Sequence, residues 1–238
     1  MEYSTTKRWQ EAQRAELDWW KNWRRLPFYP NHSFENNWRK VVSHFLSPSE
    51  QNGNQTVVEV GTGPHGVVRY LFDQAAIKIG LDPLLCQFDE RPNPNNKTCY
   101  VAAVGEFLPV KDAIADLVLC INVLDHVMDA GQILREIRRI LKPDGRLLLE
   151  IHTFPKVLTP IMFLDHPHTY HWSWSGMIQL VRDTGFEIIT TRQFPFPITI
   201  PLKSWATPNH WKYIFGKHFM RLSYVYCHPN MTSEIVRK

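Results

Sequence analysis

The apolar positions of this chain fall in short runs that alternate with segments of helical spacing. Val57-Val58-Glu59-Val60 is a β-branched run that feeds Gly61-Thr62-Gly63-Pro64-His65-Gly66, a strand delivering the chain into a glycine turn. A helix is expected to begin near Gly66 and to run through Val67, Val68, Leu71 and Phe72, its amino-terminal dipole facing the turn. Ile77 to Leu81 is a second apolar run, closed by Asp82; a third strand precedes Gly105-Glu106-Phe107, and Asp116 to Leu124 reads as a fourth, ahead of Asp125-His126. Gln132 to Leu141 has helical spacing and is closed by Lys142-Pro143-Asp144-Gly145-Arg146, after which Leu147 to Ile151 reads as a fifth strand. A helix capped by Ser173 and ending at Gly185, a sixth strand from Phe186 to Gln193 and a last one from His218 to Cys227 complete the pattern. Such alternation predicts an α/β domain.

The glycine turn is the first candidate for chemistry. Gly61, Gly63 and Gly66 have G-x-G-x-x-G spacing, and glycine permits positive φ and lets backbone N–H groups approach a ligand closely. Glu59, two residues before the first glycine, either receives a ligand's ammonium group or anchors the turn by accepting backbone N–H groups. Asp82 stands where a second parallel strand leaves the sheet. A carboxylate there accepts the two hydroxyls of a ribose, or caps a segment starting at Pro83, or does both.

Taken in order, the glycine turn, Asp82, the Gly105-Glu106-Phe107-Leu108-Pro109 turn and Asn122-Val123-Leu124-Asp125-His126-Val127 resemble the class I S-adenosylmethionine-dependent methyltransferases, in the small-molecule branch that includes ubiquinone and sugar methyltransferases. The resemblance covers about residues 55 to 190. It implies a seven-stranded, mostly parallel Rossmann-like sheet with helices on both faces. It also implies S-adenosyl-L-methionine as cofactor, held by Glu59, Gly61, Thr62, Gly63, Asp82, Pro83, Glu106, Phe107 and Asn122. Two departures bear on those contacts: Val104 stands where relatives commonly carry an aspartate for the adenine amine, and His65 replaces a further glycine. The runner-up is a NAD(P)-dependent oxidoreductase using the same glycine loop, disfavoured by Glu106 and by Leu124-Asp125-His126-Val127. A third reading is a regulatory protein that binds S-adenosylmethionine without catalysis.

Methyl transfer to a hydroxyl oxygen, the expected reaction, needs a group to take the proton. His126, after the fourth strand, and His152, at the end of the fifth, are the candidates, because imidazole titrates close to working pH. A proline- and histidine-rich loop, 153–172, follows the fifth strand, and its position makes His168, Tyr170, His171 and Trp172 candidate substrate contacts. His166, His168 and His171 have H-x-H-x-x-H spacing, yet spacing within a loop does not establish converging geometry, and no metal is expected.

The organisation expected is an N-terminal helical segment, 1–40, serving as lid or packing element, and a methyltransferase domain, 41–238, with substrate-cap insertions at about 153–172 and 194–216. The helical segment carries Trp9, Trp19, Trp20 and Trp23 among mixed charges, which favours packing on its own domain over a membrane surface.

A length of 238 residues, 44% of them hydrophobic, suits a single catalytic domain with a sizeable core. The net charge of +4 is spread without a long basic run, Arg138-Arg139 reads as a solvated helix face, and no N-P-P-Y motif is present, so nucleic acid is not expected as partner. A small-molecule or glycan acceptor is, with a possible homodimer. The four cysteines lack C-x-x-C spacing, and neither a leader pattern nor a membrane-length apolar run is seen; the expectation is a cytoplasmic protein without stable membrane insertion.

Overall fold

The computed structural model describes residues 2–22, 33–89, 97–159, 168–195 and 219–230. Five parallel strands, β1 (Thr56–Val60), β2 (Ile77–Leu81), β3 (Thr98–Val101), β4 (Ala115–Ile121) and β5 (Leu141–Phe154), form the centre and one edge of a mixed sheet. A two-residue strand, β6 (Trp172–Ser173), precedes the closing pair β7 (Phe186–Pro195) and β8 (Arg221–Pro229). The order is β3-β2-β1-β4-β5-β8-β7, with β8 antiparallel to both of its neighbours. This is the mostly parallel, Rossmann-like sheet that was expected, with seven strands on one path. β6 lies off that path: it pairs with Thr153 and Phe154, beyond Glu150, where the pairing of β4 with β5 ends. It therefore extends the line of β4 and brings the preceding loop to the carboxyl edge of the sheet.

The strands are apolar on consecutive residues because both faces are covered. Val58, Val60, Val118, Cys120, Leu147, Leu149 and Ile151 share one core with α4 (Ala130–Ile140) and α5 (Trp174–Asp183). Val57, Leu117, Leu119, Ile121 and Leu148 form the second, with α2 (Phe34–Ser43) and the segment after the glycine turn. Helix α4 follows directly from its sequence. Asp129 caps it by accepting from Gln132 N at 2.9 Å, and Ile133, Leu134, Ile137 and Ile140 form its buried face.

Three expectations are corrected. The helix expected through Val67–Phe72 is a single 3-10 turn, Val67–Arg69, and the chain bends at Phe72 with φ of 63°. Val67, Val68, Leu71 and Phe72 are all buried, so their spacing recorded burial and not helical period. Lys142 to Arg146, read as the turn that closes α4, lies inside β5, where the register against β4 shifts between Ala115 and Leu117. Arg138 and Arg139 are not a solvated face. Arg138 donates to the carbonyls of Gly185 and Asn230, and Arg139 to Glu136, Asp112 and the Leu108 and Val110 carbonyls. The aromatic zone 194–216 lies almost entirely outside the described residues. Among the described residues no helix is long and apolar enough to cross a membrane.

Glu150 is a buried acid in the middle of this architecture, paired across the strands with Tyr224. Burial raises its pKa from 4.5 to about 7, against the opposing hydrogen bond from the Tyr224 hydroxyl. A raised carboxyl contributes stability below the unfolded value of 4.5 that is lost as pH climbs through 7. Glu150→Gln removes that loss and keeps an acceptor for Tyr224. Its melting temperature relative to the unsubstituted protein should therefore be more favourable at pH 8 than at pH 5; an equal difference at both pH values would show that Glu150 does not titrate in this range.

Candidate active site

The carboxyl ends of the parallel strands converge where β1 and β4 lie side by side and the chain order reverses, the position at which open α/β sheets bind ligands. Beyond β1 the chain turns at Gly61 and Gly63, both with positive φ (73° and 52°). Neither position tolerates a side chain easily. A Cβ on Gly61 would lie 2.2 Å from Cγ2 of Val123, in the turn after β4. Gly61 N and Thr62 N both donate to Leu81 O, which ties this turn to the end of β2.

Two buried acids fix the turn from below. Glu59 accepts from Val67 N at 2.9 Å, Val68 N at 3.0 Å and the Thr62 hydroxyl at 3.1 Å. Its carboxyl is thus committed to the anchoring role that the sequence left open beside ammonium binding. Asp82 accepts from Gly63 N at 2.9 Å and Leu84 N at 2.8 Å, so it joins the glycine turn to the start of the Pro83 segment, which is a turn and not a helix. Burial raises Glu59 to about 7 and Asp82 to about 6, in each case opposed by the amides just named. The acids also raise one another: Asp82 acts on Glu59, and Glu16 of α1 (Glu2–Asn22) acts on Asp82.

Helix α1 lies across this site. The Trp20 ring sits over Gly63, 3.5 Å from where a Cβ would be, and its indole N–H donates to Glu16 at 2.7 Å. The same ring meets His65, Phe34 and Phe88. Gln13 donates to the His126 carbonyl at 3.2 Å, so the helix spans from the glycine turn to the turn after β4.

That second turn holds the residues placed for chemistry. Asn122 adopts a φ of 55°, tolerable for asparagine, and its buried Oδ1 has no hydrogen-bond partner. Asp125 is 4% exposed, and its carboxylate faces His126 Nε2 at 3.7 Å and His168 Nε2 at 3.8 Å. Burial pushes the Asp125 carboxyl up, but the surrounding His126, His168 and His152 hold it below its ordinary value. Glu16 reaches the same His126 nitrogen at 3.7 Å.

The loop entering β6 is pinned to this turn. Thr169 N and Tyr170 N donate to the Asp125 carbonyl, the Tyr170 hydroxyl to Met128 O at 2.6 Å, and the Trp172 indole to Leu124 O at 3.2 Å. The polar atoms of Tyr170 and Trp172 thus hold the loop in place, while His168 and His171 stand near each other with ring centroids 6.0 Å apart. Glu106 accepts from Met128 N and Asp129 N at the start of α4; Phe107 is 71% exposed. The structure therefore brings Gly61, Thr62, Gly63, Asp82, Asn122, His126 and His168 to this edge of the sheet, with His152 acting electrostatically on Asp125, while Phe107 is exposed. Asp125, Glu16 and Trp20 were missing from the candidates. Asp125 is visible in the sequence as the neighbour of His126, and the lid reading of the helical segment points to its tryptophans, whereas nothing in the sequence singles out Glu16.

Residues 58–149 match the family model described as "Methyltransferase domain". Over that segment the chain is similar to methyltransferase domains. An uncharacterized methyltransferase of Mycobacteroides abscessus is 30% identical over 40% of this chain and 39% of its own length. A malonyl-[acyl-carrier protein] O-methyltransferase of Pseudescherichia vulneris is 32% identical over 45% of the chain and 43% of its own. The chain thus spans about two fifths of the length of these curated relatives. Among solved structures, a geranyl diphosphate methyltransferase in complex with SAM superposes with a TM-score of 0.65 at 14% identity, covering 82% of this chain and 85% of that one. At that identity the likeness is one of fold.

Within the matched segment Glu59 is the keystone of the turn. Glu59→Ala orphans two buried amides, each costing about 1–3 kcal/mol, so urea unfolding should show a loss of about 2 kcal/mol or more. An unfolding curve matching that of the unsubstituted protein would remove Glu59 from this role.

Proposed function

We propose that the protein is an enzyme that binds S-adenosylmethionine beyond β1 and β4 and transfers its methyl group to a small-molecule or sugar acceptor, at a hydroxyl oxygen. The observation that carries the reading is the convergence of the Gly61–Gly63 turn, Asp82 and the unpaired Asn122 Oδ1 on one crevice of a methyltransferase-family fold. Glu59, Asp82 and Glu16 concentrate negative charge there, which suits a ligand carrying sulfonium and ammonium groups. Glycine backbone at Gly61 and Gly63 leaves room for its aminoacyl part, and Asp82 offers its remaining acceptor capacity to the ribose. Helix α1 serves as a lid that keeps water out while donor and acceptor are held in line. His126 takes the acceptor's proton, with His152 as its reserve, and His168 and His171 line the acceptor side. With four free cysteines, the cytoplasm is the compartment proposed.

Calorimetry should give binding of S-adenosylmethionine and its demethylated product and none of NAD; binding of NAD alone would overturn the reading. Because a cationic ligand favours ionised carboxyls, and Asp82 and Glu59 titrate at about 6 and 7, affinity should weaken as pH falls from 8 to 5.5. A pH-independent affinity would separate these acids from the ligand. Asp82→Ala should cost about 1–3 kcal/mol of cofactor binding in addition to its effect on the fold. A lower melting temperature with unchanged affinity would reduce Asp82 to an anchor of the turn.

With an acceptor found by screening sugars, phenols and carboxylates for release of demethylated cofactor, His126→Asn should lower turnover by about a hundredfold or more while cofactor affinity holds. Full turnover would strike His126 from the reaction.

A further inference from the structure

The Asp125 cluster is built more completely than a proton-transfer site requires. Ligand atoms from Asp125, His126 and His168 all lie within 4.8 Å of one another. The individual approaches, His126 to Asp125 at 3.7 Å, His126 to Glu16 at 3.7 Å and His168 to Asp125 at 3.8 Å, are too long for hydrogen bonds. They sit close to the separation of about 3.3 Å between neighbouring ligands around a tetrahedral ion with bonds near 2.0–2.1 Å. Asp125 Oδ1, the oxygen that faces His126 Nε2, is buried without any hydrogen-bond partner, an expensive state for a carboxylate oxygen. His168 is delivered by a segment whose next two amides donate to the Asp125 carbonyl, so one residue supplies a carboxylate and also fixes the loop that carries its neighbour.

We propose that Asp125, His126 and His168 bind one first-row divalent transition metal ion at the acceptor side of the crevice, with the Glu16 carboxylate beside it, 3.7 Å from His126 Nε2. Two imidazoles with carboxylates suit zinc and its first-row neighbours better than magnesium or calcium, which prefer all-oxygen sets. The charges also match, because two carboxylates and two neutral imidazoles balance a dication. The motif suggested by H-x-H-x-x-H spacing is not this site. It contributes His168 alone, His166 lying outside the described residues, and the remaining groups come from β4's exit turn and from α1.

The ion's role rests on the methyltransferase reading; its binding does not. In that reading an open coordination position holds the acceptor oxygen and lowers the pKa of its hydroxyl. A nitrogen bound to the ion cannot at the same time remove a proton, so metal binding decides between the two uses of His126.

The test is calorimetric titration of untagged, EDTA-stripped protein with Zn2+. The expected result is one ion per chain, with affinity weakened at least about tenfold in Asp125→Asn and in His168→Gln, each shown to be folded by circular dichroism. His168 is partly exposed, which keeps the second variant informative where the buried first one fails to fold. Co2+ should give visible d–d absorption without a sulfur-to-metal band, since the cluster contains no cysteine. Absence of stoichiometric binding, equal affinity in a folded variant, or a sulfur band that places the ion on Cys86 or Cys99 would each overturn the proposal. S-adenosylmethionine titrated into the same samples separates the two readings: zinc binding without cofactor binding defeats the proposed function and leaves the metal site standing, and the converse defeats the site alone.

Discussion

The rest of this structure depends on a carboxylate that is almost fully out of water. Glu59 sits at the end of a strand whose neighbours are packed on both faces, and it satisfies three donors that the glycine turn and the following segment leave without partners. Ordinarily such amides belong to the first turn of a crossover helix. Here the helix has shrunk to one 3-10 turn, and the acid takes over much of the work of a helix start, fixing where the chain turns and how it packs its valines. The cost is a buried carboxyl whose pKa has moved up to about 7, a strain that a cationic ligand above the turn would relieve.

A second layer of constraint comes from three segments remote in sequence. The β4 exit turn is held from one side by α1 through Gln13, and from another by the loop before β6, through two amides, a phenol and an indole. Polar groups that look like ligand contacts in a linear reading are therefore engaged in assembling the site. What they leave over, the carboxylate of Asp125 among imidazoles, is the part free for chemistry.

The lines of the sheet were legible because apolar runs in a doubly covered sheet have to be continuous: Ile77–Leu81 coincides with β2, and the Ser173 cap and α5 followed from local chemistry. Local rules failed where burial and helical period produce the same pattern, as in Val67–Phe72. They failed again where a side chain's partner lies far along the chain: Arg138 reaches Asn230, and Glu106 reaches the start of α4.

The sequence by itself determined the alternation of strands and helices, the glycine turn with Glu59 and Asp82 beside it, and the resemblance to a methyltransferase, since each is written in neighbouring residues and their backbone preferences. Only the tertiary structure decided that Glu59 spends its oxygens on amides, that Trp20 roofs Gly63, and that Asp125, His126, His168 and Glu16 meet. The Glu59 contacts are close in sequence but depend on the exact course of the turn; the others join segments far apart in the chain, and their geometry depends on how α1 and the β6 loop pack across the carboxyl edge of the sheet, which no local pattern encodes.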